Sequence, residues 1–417
     1  MVLTDKSYVL SIVSQNAFAF EHVSVALRGD REIALAAVCK NGLMLRYVSD
    51  ALKTDHGIVA AAVMSTTFSL EYASDTLKNC HEIVVAAIMR NALSLRYASE
   101  TLKENREVVM TAILRNGCSL EYVSETLRND RAIVLAAVRE DGSALEYAST
   151  SLKNDREIVM SAIKHSDANL QHASMTLRAD RSIVMVAVTH SGTNLQHATS
   201  ALKADRGIVT AAVEQDGFAL MFAPEFYTDR EIVLSAVRRH GYALEFASEE
   251  LRNDREIARV AVSKNGYSLY DVSDTLRNDR EIVLAAVRQN GNSFCHASQT
   301  LRDDRDCVHA AVSTSGVALL FASDTCRSDR EIVKAAVGQY GPALEYASDA
   351  LRSDRSVVLT AVNNRRESVR HCTCPTMRRD PRFVRVGRCH AVALLRQLPF
   401  LPDDICMLIA SYIHVYV

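Results

Sequence analysis

Apolar and polar residues follow one another along this chain in a pattern that repeats every 25 residues. A typical repeat begins with a polar pair, continues with an apolar run such as 282–287 (Ile-Val-Leu-Ala-Ala-Val), and then reaches a glycine. The run is apolar around most of a helix, which predicts a helix that is buried on most sides. A fixed period of this length indicates a solenoid, in which stacked repeats bury one another's apolar faces.

The start of each repeat is marked by a polar residue, most often Asp, at a constant position. Neighbouring markers are 25 residues apart, except for one step of 24 from Asp205 to Asp229. Fourteen repeats are complete, and the fifteenth loses the pattern after Val362. The fifteen markers are Asp5, Asp30, Asp55, Cys80, Asn105, Asp130, Asp155, Asp180, Asp205, Asp229, Asp254, Asp279, Asp304, Asp329 and Asp354.

Each repeat is predicted to contain two short helices. The segment from Asn253 to Glu256 fits a capping box for the first helix, in which the Asn253 side chain accepts from the backbone. A glycine usually stands twelve positions after the marker, as at Gly266, and predicts a left-handed helix stop. Alanine stands seven positions after the marker in every repeat but the first, which indicates that backbones approach closely there.

The second helix is predicted to be about nine residues long, with one apolar face. Leu244, Ala247 and Leu251 show the spacing i, i+3 and i+7 that places three side chains on one side of a helix. Two positions after the leucine there is usually an aromatic residue or histidine, which we call the aromatic column. Its members are Tyr47, Tyr72, Tyr97, Tyr122, Tyr147, His172, His197, Phe222, Phe246, His296, Phe321 and Tyr346.

These motifs carry a resemblance to a known family. Residues 276–287 read Leu-Arg-Asn-Asp-Arg-Glu-Ile-Val-Leu-Ala-Ala-Val, and Gly341 is followed by Leu-Glu-Tyr-Ala-Ser at 344–348. Over residues 5–362 the sequence resembles a family of short helical repeats catalogued as domain of unknown function 4116. The resemblance implies an α-helical repeat array and implies no reaction.

The period and the two helices predict the fold class. We expect an all-α, right-handed-type α-solenoid of about fourteen 25-residue two-helix repeats with a C-terminal capping helix. Residues 1–362 form the repeat array, 363–397 an Arg-rich basic linker, and 398–417 an amphipathic helix.

The composition of the chain limits the classes of partner and the cell compartment that we expect. Lys and Arg total 48 against 50 Asp and Glu, so the net charge of −2 gives no general attraction to nucleic acid or to an anionic membrane. No apolar run is long enough for a membrane span, and the N-terminal residues lack a signal-peptide pattern. The ten cysteines do not recur at one position of the repeat. They indicate free thiols in a reducing compartment, and hence an intracellular protein of the cytoplasm or nucleus.

Arginine follows the marker in twelve of fifteen repeats. A cation at a helix N-terminus opposes the helix dipole, so its recurrence needs another cause. We expect an ion-pair ladder with acids of a neighbouring repeat, such as Asp274 or Glu249. An anion-binding track is the alternative.

The basic segment 365–396 contains nine arginines and almost no acid. Such a segment can contact nucleic acid or an acidic protein, but a solvated cap that offsets acids elsewhere is the simpler interpretation. The sequence therefore does not favour nucleic acid as a partner.

The end of the chain has a helical pattern of its own. Residues 401–405 read Leu-Pro-Asp-Asp-Ile, and the apolar residues from Ile405 to Tyr412 have the spacing i, i+3, i+4 and i+7 of one helix face. This segment is similar to the opening of an F-box, the helix that docks on the adaptor subunit of cullin-type ubiquitin ligases, although a full F-box has three helices. A cap over the last repeat and contact with a membrane are the alternatives. The adaptor-docking residues that the resemblance implies are Leu401, Pro402, Ile405, Leu408, Ile409 and Tyr412.

Candidate chemistry is sparse, because phosphate-binding loops, dinucleotide motifs and metalloprotease or esterase motifs are absent from the sequence. His165, His172, His190 and His197 could approach one another across repeats and bind a metal, but substitution within the aromatic column is the favoured interpretation. A second candidate joins 371–374 (His-Cys-Thr-Cys) to 389–390 (Cys-His), with a spacing too tight for a zinc finger. We therefore predict no enzyme, no catalytic residue, no metal and no cofactor.

Repetition of the same residues suits an extended contact surface better than catalysis, which needs unlike residues at one place. We expect a non-catalytic scaffold that binds a protein partner of unknown identity. The alternative is the substrate-recognition subunit of a ubiquitin ligase. The partner-binding residues are predicted at the outward positions of the second helix: Arg46, Glu71, Arg96, Glu121, Glu146, Gln171, Gln196, Met221, Glu245 and Tyr270.

Overall fold

A computed structural model of the protein describes residues 5–166 and 169–379. Their regular secondary structure is helical, without a β-strand, and it confirms the α-solenoid. The chain divides into two compact units, Met1–Ala211 and Ala212–Val417. Within each unit, the longest helix of one repeat packs against the longest helix of the next.

The first predicted helix of each repeat, which we call the long helix, is present throughout. Almost all long helices have ten residues. Their bounds are Lys6–Gln15, Arg31–Lys40, His56–Ser65, His81–Arg90, Arg106–Ile113, Arg131–Glu140, Arg156–His165, Arg181–His190, Arg206–Gln215, Arg230–Arg239, Arg255–Lys264, Arg280–Gln289, Arg305–Thr314, Arg330–Gln339 and Arg355–Asn364.

The predicted second helix is instead two shorter pieces. The first piece is a 3₁₀ helix. The bounds of these 3₁₀ helices, one in each repeat, are Ala17–His22, Gly42–Tyr47, Ser69–Tyr72, Ala92–Tyr97, Gly117–Tyr122, Gly142–Tyr147, Asn169–His172, Gly192–His197, Gly217–Phe222, Gly241–Phe246, Gly266–Tyr270, Gly291–His296, Gly316–Phe321, Gly341–Tyr346 and Arg366–His371.

The second piece is a single helical turn. It is α-helical at Asp75–Lys78, Glu100–Lys103, Glu125–Arg128, Met175–Arg178, Ser200–Lys203, Glu249–Arg252, Asp274–Arg277, Asp324–Arg327, Asp349–Arg352 and Pro375–Arg379. It is a 3₁₀ turn at Leu27–Gly29, Leu52–Thr54, Leu152–Asn154 and Pro224–Phe226.

A serine with an extended backbone separates the two pieces. Ser273 has φ of −60° and ψ of 157°, and its hydroxyl oxygen accepts from the backbone N–H of Leu276 to cap the following turn. Its own N–H donates to the carbonyl oxygen of Arg252 in the preceding repeat, at 3.2 Å. A continuous helix would use that N–H internally, so the break allows a backbone hydrogen bond between repeats.

The marker residue itself caps the long helix. The Asp254 carboxylate accepts from the backbone N–H groups of Glu256 at 2.9 Å and Ile257 at 3.0 Å. The predicted capping box is therefore wrong. Asn253 ends the preceding turn, and its side-chain oxygen accepts from the Ser273 hydroxyl of the next repeat at 2.6 Å.

The recurrent glycine does not adopt a left-handed conformation, since no glycine among the described residues has a positive φ. A Cβ on Gly266 would lie 2.5 Å from the carbonyl oxygen of Ala286 in the next repeat. The predicted left-handed stop is wrong, and close approach between repeats requires the glycine instead. Where Thr67 takes the glycine position, the following residue Phe68 has φ of 71°, a strained conformation for an aromatic residue.

The core is a set of columns, each occupied by one position of the repeat. The alanine column is fully buried, as at Ala261 and Ala286, and the leucine that precedes the exposed face is buried in the same way. Phe294 replaces that leucine in one repeat and is also fully buried. Repeats supply one another's interior, as the period predicts.

The order of elements continues past the predicted end of the array at 362. A 3₁₀ helix at Arg366–His371 and a short helix at Pro375–Arg379 follow the last long helix. The described part of segment 363–397 is therefore mostly helical and keeps the pattern of a repeat. Within the described ranges, the search for a helix both apolar enough and long enough to cross a membrane found none.

Candidate binding face

The ten predicted partner-binding residues occupy one position of the 3₁₀ helices, directly after the buried leucine. All ten side chains are exposed. We call this position the face column. The leucine points inward and the next residue points outward, so the face column is exposed to solvent in these ten repeats, whereas Cys295 at the same position is only partly exposed.

In the first compact unit the face column is polar, and two arginines stack on tyrosines of the aromatic column. The Arg46 guanidinium lies 5.0 Å from the ring centroid of Tyr47 and 5.9 Å from that of Tyr72. Arg96 makes the same contact with Tyr97, at 5.1 Å. These arginines are held by neighbouring rings, which fixes their position on the surface.

In the second compact unit the face column is partly apolar. Met221 is 46% exposed, Tyr270 is 62% exposed, and Leu320, which was not predicted, is 40% exposed. These three residues stand in alternate repeats, with Glu245 and Cys295 between them. Large exposed apolar side chains that recur at one position indicate a surface suited to protein contact.

The aromatic column is broken once in the second compact unit, where Asp271 takes its place. This residue was not predicted as part of the site, although the gap between Phe246 and His296 in the column is visible in the sequence. A cavity of about 350 Å³ opens there. It is lined by Tyr242, Glu245, Tyr267, Tyr270, Asp271 and His296, and we call it the notch.

An open groove of about 900 Å³ lies on the other side of Asp271 and includes Arg252 and Arg277. The Arg277 guanidinium donates to the Asp274 carboxylate at 3.0 Å and lies 5.8 Å from the ring centroid of Tyr270. The Nε atoms of both arginines are buried and have no hydrogen-bond partner within the described part of the chain. A terminal nitrogen of Arg252 donates to the carbonyl oxygen of Glu245, and one of Arg277 donates to the carbonyl oxygen of Tyr270. Both cations therefore lie beside the notch, on the side of the groove.

The pKa of the Asp271 carboxyl is shifted from its ordinary value. Burial raises its pKa to about 6, and the nearby Glu245 carboxylate adds to the effect, whereas Arg252 and Arg277 oppose it. The carboxyl thus binds its proton more tightly in the folded chain than in the unfolded chain, where its ordinary pKa is 3.8. The contribution of Asp271 to stability is therefore most favourable below the unfolded pKa and falls as the pH rises through the folded pKa.

Replacement of Asp271 by Asn should remove the loss of stability that accompanies ionisation of this carboxyl. We expect Asp271→Asn to stabilise the fold by about 1 kcal/mol above about pH 7, a value discounted for solvent screening, and to have no effect below about pH 4. Urea unfolding of both proteins at several pH values measures the difference. A gain that did not change with pH would show that the buried charge is not its cause.

The predicted ion-pair ladder is present, but its acids are different from those expected. Arg255 pairs with Asp279 at 2.9 Å and with Glu281 at 2.6 Å, both in the next repeat. Asp274 instead pairs with Arg277 of its own turn at 3.0 Å. The Arg255 guanidinium holds the pKa of the Asp279 carboxyl below its usual range. A typical rung thus joins one arginine to the helix cap of the next repeat.

The other sequence candidates fall in different places. The adaptor-docking residues 401–412 lie outside the described residues, as do Cys389 and His390. Cys372 is fully buried, with its thiol near the Cys374 carbonyl oxygen at 3.7 Å, and so belongs to the interior. Burial lowers the pKa of His172 and of His197, consistent with their place in the aromatic column.

A comparison with protein families gives one match, repeated along the chain. The family is described as "Domain of unknown function (DUF4116)". A search of curated proteins found no match. The matched segments are residues 5–53, 55–103, 105–153, 155–203, 180–227, 229–277, 261–302, 304–352 and 329–377.

Proposed function

This chain belongs to the DUF4116 family, and from that premise we propose that it is a non-catalytic scaffold that binds a protein partner through its face column. The observation that carries the proposal is the notch at Asp271. Two exposed face-column residues, Glu245 and Tyr270, line this cavity of about 350 Å³.

The lining of the notch indicates the chemistry of the partner. Tyr242, Tyr267 and Tyr270 present rings, and the Glu245 and Asp271 carboxyl groups stand beside them. Aromatic rings and carboxylates together favour a cation, because the ring face and the acid both carry negative potential. The partner we propose is a protein that inserts a lysine or arginine side chain into the notch.

Exposed apolar residues on the same face extend the contact beyond the notch. Met221 and Leu320 belong to the face column on either side of Tyr270 along the sequence. An interface typically joins a few anchor residues to a wider surface that excludes water. The notch is the anchor in this proposal, and the face column is the surrounding surface.

The test uses a blocked tripeptide with lysine at its centre and a matched peptide with norleucine. Saturation-transfer NMR should detect the lysine peptide on the full chain and not the norleucine peptide. Asp271→Tyr, which restores the aromatic column and fills the notch, should weaken binding at least about tenfold, and so should Tyr270→Ala. Glu345→Ala is the control, because it removes a face-column carboxylate from a repeat that retains Tyr346.

Equal binding of the lysine peptide to the wild type and to both notch variants would contradict the assignment of the notch. Binding of both peptides alike would contradict the requirement for a cation. A protein captured from cell extract supports the proposal only if Asp271→Tyr loses it.

Docking on a ubiquitin-ligase adaptor is the second candidate, favoured by the F-box-like sequence at 401–413. A chain truncated after residue 397 should then lose the adaptor in a pull-down but still bind the lysine peptide. If no adaptor is lost on truncation, the terminal segment has another role. The compartment we propose is intracellular, because the eight described cysteines are free.

A further inference from the structure

At one rung of the ion-pair ladder, both the arginine and the capping aspartate are replaced by other residues. In the first compact unit, Arg31 pairs with the cap Asp55 at 3.0 Å, as in the general pattern. At the following rung, His56 stands in place of the arginine, Cys80 in place of the cap, and Glu82 remains as the second acid. The exchange therefore affects two positions that are 24 residues apart and meet in space.

The three side chains converge. The ligand atoms of His56, Cys80 and Glu82 all lie within 4.8 Å of one another, and the His56 Nε2 and Glu82 Oε2 atoms are 3.6 Å apart. Among residues 5–166 and 169–379, these three side chains form the group whose geometry could hold a metal ion.

The exchange removes interactions that other repeats keep. The Asp55 and Asn105 side chains cap the preceding and following long helices, whereas the Cys80 side chain makes no capping hydrogen bond. A side-chain cap satisfies backbone N–H groups that are otherwise without a partner at a helix start. Stability is thus given up at this rung unless another interaction replaces the ion pair and the cap.

We propose that His56, Cys80 and Glu82 bind a zinc ion that clasps two neighbouring repeats. The set offers an imidazole nitrogen, a thiolate sulfur and a carboxylate oxygen, each of which is a common zinc ligand. Sulfur and imidazole donors select against magnesium and calcium, which prefer oxygen. Three protein ligands leave the fourth tetrahedral position for water or for a donor from another molecule.

Binding forms one bond from the metal to each ligand, and the Cys80 thiol releases its proton to solvent. The metal would then hold the start of one long helix to the start of the next, as an arginine does at most of the other rungs. This inference is independent of the notch, which lies in the other compact unit.

The test titrates Zn²⁺ alone into the full-length chain after treatment with a chelator. Isothermal titration should show zinc binding at a site formed by this rung. Thermal melting should show a melting temperature that rises with Zn²⁺ and does not rise with Mg²⁺. Cobalt(II) in place of zinc should give a thiolate charge-transfer absorption band. Cys80→Ser should weaken zinc binding at least about tenfold.

The decisive variant restores the ordinary rung with His56→Arg and Cys80→Asp together. It should fold, melt at or above the temperature of the metal-free wild type, lose one equivalent of zinc and show no thermal shift from this site. Cys39→Ser, which changes an exposed cysteine elsewhere in the same unit, should bind zinc as the wild type does. Equal zinc stoichiometry and affinity for the wild type and the double variant would overturn the proposal, as would failure of the wild type to bind zinc.

Discussion

Replacement of Phe294 by alanine is expected to lower the free energy of unfolding by about 3–5 kcal/mol, the range found when large aromatic side chains are removed from protein cores. The Phe294 ring is fully buried, at the position where Leu269 and Leu319 stand in the adjacent repeats. The gap left by the ring cannot close easily, because the long helices beside it are held by their own contacts with further repeats.

Phe294→Leu is the matched control. It puts the usual residue of the column in place of the ring and should cost about 1 kcal/mol, because most of the buried volume remains. Urea unfolding followed by circular dichroism measures both, and hydrogen exchange locates the loss, since a repeat array need not unfold in one step. Equal stability of the two variants would show that the ring does not fill this part of the core.

Replacement of Gly341 by valine is expected to cost about 2–3 kcal/mol through overpacking. A Cβ at Gly341 would lie 2.5 Å from the carbonyl oxygen of Ala361 in the next repeat, and equally close to the Ser368 hydroxyl. Ala92 occupies the same position of another repeat, so a single methyl group can be accommodated by a small shift. The branched side chain of valine exceeds that allowance.

Gly338 provides the control, three residues earlier. It lies within the long helix Arg330–Gln339, and the nearest atom to a Cβ there is the Thr360 Cγ2 at 3.8 Å, an ordinary contact. Gly338→Ala should therefore stabilise the protein by about 0.5–1 kcal/mol, because alanine is the better helix former. Thermal melting should move in opposite directions for the two variants. The close approach between repeats would be disproved by a Gly341→Val protein that melts with the wild type.

Much of the fold could be predicted, because the signals for the long helix lie within the sequence of a single repeat. The run at 282–287 and the cap before it are local signals, and the long helix Arg280–Gln289 is where they place it. The arginine ladder could also be predicted from the sequence, because a positive charge at a helix start is unfavourable unless an acidic side chain pairs with it.

The features that were missed depend on the neighbouring repeat. Ser273 interrupts the second helix because its N–H bonds to the preceding repeat, and Gly266 is small because Ala286 of the next repeat lies against it. Neither contact has a signature inside one repeat. Asp271 could have been found, since it breaks the aromatic column, but its importance comes from the cavity that opens beside it.

The hydrogen bond from the serine N–H to the carbonyl oxygen of the preceding repeat has an evolutionary consequence. It joins Ser323 to Arg302 at 3.0 Å in the same way as it joins Ser348 to Arg327 at 3.0 Å, using main-chain atoms that nearly every residue type supplies. A gene duplication or deletion of one whole repeat would therefore meet a compatible donor and acceptor at the new junction. Such a protein can change its length in steps of 25 residues while its outward residues diverge freely.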